Sequence, residues 1–180
     1  MTNRITIDAM HERHRALTPS LAGTYQEAAC VCLSRRHTSP IEVVLSDNGT
    51  ERKAELDFQA PTTRERDAWA NKIDATEMGA YCCVIAGVEA LRDLYAVRRA
   101  ETGTGADYYV GPKDSGEEDL EDCFRLEVSG MDAGNPREVE RRLLEKVLQA
   151  QRGESSLPAL AGVISFSAKL IKICDVPGAQ

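Results

Sequence analysis

The run GAYCCVIAG, residues 79–87, lies in a stretch whose other apolar positions, Trp69, Ile73, Val88 and Leu91, recur at helical spacing. A helix with one polar side can rest on a surface, whereas this run is apolar nearly all round and has to be covered on every side. The segment APTTRERDAWANKIDATEMGAYCCVIAGVEALRDL therefore reads as the longest helix of the chain, opened by Pro61 and by Thr62 or Thr63, and buried under a sheet. With 180 residues the chain suffices for one domain with a well-buried core and falls short of two ordinary ones.

The sheet is supplied by short apolar runs. YAVRRAE, DYYVGP and CFRLEVSG read as three successive strands after the long helix, with the glycine-rich TGTGA between the first two and the acidic, mobile loop KDSGEEDLED between the second and third. In CFRLEVSG, Phe124, Leu126 and Val128 share one face, and Arg125, Glu127 and Ser129 share the other. NPREVERRLLEKVLQAQRG is an amphipathic helix with Asn135 as cap, Pro136 at its first position, Val139, Leu143, Val147 and Ala150 along one stripe, and Gly153 as its stop. LAGVISFS and KLIKICDV close the chain as strands. Ahead of this core, HERHRALTPSLAGTYQEAACVCLSRRH reads as a helix that Pro19 can break, and IEVVLSDNGTERKAELDF as a hairpin turning at DNG. Residues 1–60 are thus expected as a helix and hairpin extension, and residues 61–180 as the core of one compact domain.

Several function classes are excluded. The formal net charge of −7 counts against a broad basic surface for nucleic acid, while leaving room for a local basic groove. No stretch approaches the roughly 20 apolar residues of a membrane span, and MTNRITIDAMHERHR has no apolar core of a signal peptide, so a cytoplasmic protein is expected. The six cysteines form no CxxC pair and lie in apolar runs, which predicts buried free thiols. His11 and His14 in HERH lack a second ligand pair and read as surface histidines on a helix. GTGADYYVG lacks the full GxGxxG pattern and precedes no helix, which excludes a dinucleotide site.

What remains is a pair of carboxylates in strand-like surroundings. Asp107 stands at the start of DYYVG and Glu127 in the middle of CFRLEVSG, positions where a charge is rare unless it is paired, binds a metal or does chemistry. An oxygen-rich pocket of this kind suits a hard cation, and without one the carboxylates repel and at least one pKa rises. The plainer roles are a turn cap for Asp107 and an ion pair of Glu127 with Arg125, Arg99 or Arg141.

The order helix, three strands, helix, two strands, with Asp107 opening the second strand and Glu127 in the third, resembles the core of the PD-(D/E)xK, or restriction-endonuclease-like, nuclease superfamily. The resemblance covers about two thirds of the chain and rests on layout and a short motif. It implies an α/β restriction-endonuclease-like fold with the N-terminal helix and hairpin appended, and a magnesium (or manganese) ion held by Asp107 and Glu127, with Glu77 as a further ligand from the preceding helix. It also implies catalytic roles for Asp107, Glu127, Lys146 and Gln149. The chain departs from the motif at Ser129, where the family carries lysine; Lys146, or Arg125 on the strand itself, can supply that charge in space. The implied activity is metal-dependent phosphodiester cleavage of DNA or RNA. The alternative is an inactive nuclease-fold subunit that binds or assembles with a protein partner or with itself, as in a bacterial defence or mobile-element system. A small-molecule-binding α/β domain using Arg125, Glu127 and Ser129 is a third reading.

Overall fold

The structure, a computed structural model, describes residues 3–115 and 119–178. Residues 116–118, at the centre of the acidic loop expected to be mobile, lie outside the described residues. The protein is mixed α/β, with one eight-stranded mixed sheet and four α-helices among the described residues. In chain order the elements are β1 (Asn3–Ile5), α1 (Pro19–Ser34), β2 (Ile41–Asp47), β3 (Thr50–Leu56), α2 (Thr63–Ala68), α3 (Lys72–Arg92), β4 (Tyr95–Arg99), β5 (Tyr108–Gly111), β6 (Phe124–Met131), α4 (Pro136–Gln151), β7 (Ala159–Ser165) and β8 (Leu170–Asp175). Across the sheet they lie β1-β3-β2-β8-β7-β6-β5-β4. No helix among the described residues is long and apolar enough to cross a membrane.

The apolar run of α3 is covered as its sequence demands. Residues 79–88 are buried, with α1 packed on one side of the helix and the sheet on the other. The N-terminal segment is therefore more than an appendage. Helix α1 completes the layer over α3, and the β2–β3 hairpin, turning at Asn48 and Gly49, extends the sheet by pairing β2 parallel to β8. Helix α4 covers the opposite face, burying Val139, Leu143 and Ala150 against β7 and β8 residues such as Val163 and Leu170.

Three sequence expectations are corrected. The long helix is two, because Asn71 accepts hydrogen bonds from the Ile73 and Asp74 amides and starts α3 afresh after α2. The N-terminal helix begins only at Pro19, capped by Thr18, and residues 10–12 make a single 3-10 turn. His14 is not a surface residue: it is fully buried, its Nδ1 accepts from the Ala96 amide at 3.1 Å, and its Nε2 meets Glu89 at 2.8 Å. An Nδ1 that accepts leaves the proton of a neutral ring on Nε2, which donates to Glu89. The cysteines are all free and five are buried, and burial pushes the Cys30 thiol to about 11 and Cys32 to about 12.

Helix α3 approaches the sheet closely at Gly162 of β7, where an added Cβ would collide with Cγ1 of the fully buried Val84. Gly162→Ala is expected to lower stability by about 1–3 kcal/mol, as overpacking does. The denaturant midpoint in urea should fall with the slope unchanged, while Gly23→Ala, whose Cβ meets nothing within 4 Å, should not show that loss.

Candidate functional site

Strand β6 is longer than its antiparallel neighbour. The β5–β6 ladder pairs Tyr108 with Leu126, Tyr109 with Arg125 and Val110 with Phe124, while β6 runs on beside β7 as far as Met131. Past Glu127, one edge of β6 therefore has no strand beside it. Asp107, the residue before β5, closes the first step of this gap: its amide donates to the Leu126 carbonyl at 2.8 Å, and its Oδ2 accepts from the Val128 amide at 2.8 Å. Beyond it lies a cleft of about 630 Å³ between the N-terminal half of α3, the free edge of β6 and α4. Helix α3 can approach this edge because residue 130 is glycine, where a Cβ would lie 2.7 Å from the Thr76 carbonyl oxygen.

Glu77, Asp107, Glu127, Lys146 and Gln149 all line this cleft, together with Ser129. Their arrangement divides them. Glu127 lies on the floor at 4% exposure, and the Lys146 ammonium, reaching down from α4, donates to its Oε1 at 2.9 Å and to Gln149 Oε1 at 2.9 Å. Glu77 is exposed on α3, and no group of three His, Cys, Asp or Glu side chains among the described residues is arranged to hold a metal. The oxygen donors brought together are Asp107 and Glu127.

Burial raises the Glu127 pKa above the ordinary carboxylate range; Lys146 opposes that rise and the Asp107 charge adds to it. Asp107 is held from its other side by a network the sequence gives no hint of. The Tyr81 hydroxyl of α3 donates to Oδ1 at 3.0 Å, and the Arg99 guanidinium donates to the Tyr81 oxygen at 3.2 Å. Arg99 lies 4.7 Å from the ring centroids of both Tyr81 and Tyr108, a doubled cation–π contact, and 3.7 Å from Asp107. Burial pushes the Tyr81 hydroxyl up to about 12, so it remains a donor across the physiological range.

Arg125 is the clearest departure from expectation. It shares a strand face with Glu127 in sequence, yet it does not line the cleft and is 1% exposed. Its Nε donates to the Leu157 carbonyl, and one terminal nitrogen donates to Thr104 and to Ala150 at the end of α4. It is a clamp between loops, and the charge that touches Glu127 comes from Lys146. No family model matches the chain, and neither a curated protein nor a solved structure does.

Removing Lys146 should expose the cost of ionising Glu127. A carboxylate whose pKa is raised on folding binds more protons in the native state, so its ionisation lowers stability as pH rises from the unfolded value through the folded one. Lys146→Met takes away the nearest group that opposes this. Its loss of melting temperature relative to the parent chain is therefore expected to be larger at pH 8 than at pH 5, by thermal unfolding across that range.

Proposed function

We propose that this cleft is a divalent-metal-dependent phosphodiesterase site acting on nucleic acid, set in a restriction-endonuclease-like core. The observation that carries the reading is the convergence of Asp107, Glu127 and Lys146, from the start of β5, the middle of β6 and α4, on one cleft at the free edge of β6. The run α3-β4-β5-β6-α4-β7, with β5 antiparallel to β6 and β6 parallel to β7, supports the core assignment, and Lys146 supplies the charge that Ser129 lacks.

The donor set fits a small hard cation. Magnesium characteristically takes one or two carboxylates and fills the rest of its shell with water and substrate phosphate, so two oxygen-donor side chains suffice. Asp107 and Glu127 would hold the ion, which when bound supplies Lewis-acid activation of the phosphate and of water. The chain's own residues do the remaining work. Tyr81 and the Val128 amide fix the Asp107 carboxylate with one hydrogen bond to each oxygen, which leaves further acceptor capacity on both. Lys146 opposes the rise that burial gives the Glu127 pKa, and would set a positive charge where a phosphate enters. Gln149 and Glu127 together anchor that ammonium, and the Ser129 hydroxyl at the rim offers one hydrogen bond.

A catalytically silent binding or assembly subunit is the second reading. It is favoured by Leu144 and Leu148, one turn apart on the outer face of α4 and more than half exposed.

Calorimetry with magnesium and manganese should show binding by the wild-type chain, strong loss of binding in Asp107→Asn, and weakening at a higher pH than an ordinary carboxylate would give, since Glu127 takes up its proton early. Cleavage by Asp107→Asn and by Lys146→Met should fall on the order of 10²–10³-fold. Absence of metal binding at millimolar concentration, or undiminished cleavage in Asp107→Asn, would overturn the assignment.

A further inference from the structure

The cleft is not closed at its ends. Lys72 also lines a depression of about 310 Å³ with Arg66 and Trp69, and Asp107, Glu127 and Gln149 also line one of about 430 Å³ with Arg99, Arg152 and the glycine-rich loop 102–105. The central cleft shares Lys72 with the first hollow and Asp107, Glu127 and Gln149 with the second, so a hollow adjoins the cleft on each side. Resting on the phosphodiester reading above, we propose that cleft and hollows together form a groove, a track for single-stranded nucleic acid, entered by the strand from one side and left on the other, so that internal phosphodiesters are the bonds presented.

Charge supports it first. In a chain of net charge −7, Arg66 and Lys72 stand on one side of the carboxylates and Arg152 on the other, and among the described residues these three exposed side chains have no ion pair. Arg13, Arg36, Arg92 and Lys172 are each paired with a carboxylate, whereas exposed Arg52, Arg64, Lys113, Arg137 and Arg141 also show no ion pair among the described residues, so position along the hollows, more than pairing, marks Arg66, Lys72 and Arg152. Unpaired cations flanking a phosphate-cleaving centre are what neutralises a backbone running past it. Apolar surface lies at the same end: Ile73 is 77% exposed on the rim, and the Trp69 ring, tethered through Nε1 to Glu27, lines the Arg66 hollow, giving bases something to stack on. The other wall includes the loop 102–105, held at the Thr104 carbonyl by Arg125. Glu127 is 4% exposed, and an unpaired strand can bend toward so sheltered a carboxylate more readily than a backbone held in a duplex.

The test is fluorescence anisotropy of a labelled single strand of about 16 nucleotides in EDTA, which measures the groove without catalysis. Deoxyribo and ribo strands run in parallel identify the sugar. Arg66→Ala, Lys72→Ala and Arg152→Ala are each expected to weaken binding several-fold and to reduce the slope of log K against log salt by about 0.7, with Lys53→Ala on the distant hairpin unchanged. A circular single strand is expected to bind as tightly as a linear one, and a duplex of the same sequence more weakly. Wild-type affinity in all three variants, a preference for the duplex, failure of the circle to bind, or binding of neither sugar would overturn the proposal. If the strand binds through these cations but is never cut with magnesium present, the groove stands and the catalytic reading falls. Cutting that persists while the three variants bind normally leaves the catalytic centre standing and removes the groove.

Discussion

Everything in this fold follows from a helix that has no face to show to water. From Gly79 to Val88, α3 offers nearly nothing polar, so it needs cover on two sides, and a single sheet face supplies only one of them. The sheet covers one side and α1 the other, which makes the N-terminal segment part of the core. Two further consequences come from the same constraint. The helix must lie close to the sheet, hence glycines at 130 and 162, and its N-terminal half, where Lys72, Ile73 and Glu77 are exposed, becomes a wall of the cleft.

The cleft itself is a defect in the sheet used to advantage. Where β5 stops, the edge of β6 loses its partner, and backbone groups there need other acceptors. Asp107 serves as one, which explains why a carboxylate can sit at the mouth of an apolar strand without a buried charge going unmatched: Tyr81, the Val128 amide and Arg99 surround it. Glu127 is less well provided for. It has Lys146 on one oxygen, burial and the Asp107 charge against it, and so it is the member of the pair whose ionisation a cation would relieve. The plainer roles that the sequence allows are filled differently: Asp107 accepts from the Val128 amide across the sheet and caps no turn, and the ion pair of Glu127 is with Lys146 in place of Arg125, Arg99 or Arg141.

The element pattern is legible in the sequence because it is local. Asn135 with Glu138 announces α4, Asn48-Gly49 the hairpin, and alternation in FRLEVS the faces of β6. The site's carboxylates are legible too, as charges in apolar runs. What stays hidden depends on partners far away in the chain. His14 looks like half of a surface pair until Glu89, 75 residues on, and the Ala96 amide close around it. Arg125 looks like a companion of Glu127, and only the placement of Leu157, Thr104 and Ala150 reveals that its strand face offers three carbonyls at that point. Tyr81 and Arg99 carry no motif at all, since a tyrosine in an apolar helix and an arginine at a strand end are ordinary residues until the fold stacks them beside Asp107. The break at Asn71 is a local signal, outweighed in the sequence by the helical spacing of Trp69 and Ile73 on either side of it.

The overall acidity, which argues against a nucleic-acid surface when taken as a single number, reads differently once it has a geometry. A uniformly basic protein attracts a polyanion everywhere and must then search its own surface for the site. Here many arginines are neutralised by a neighbouring carboxylate, and the exposed acidic remainder repels a phosphate backbone. In the proposed nucleic-acid track, cations at the two ends would do more than add attraction, because repulsion elsewhere would favour approach along the groove. Such guidance acts over about a Debye length, roughly 8 Å at physiological ionic strength, a distance comparable to the width of a cleft. On that proposal the same acidity would sharpen a specific path, and the two carboxylates beside it would be tolerable to an arriving phosphate only with Lys146 and a bound cation beside them.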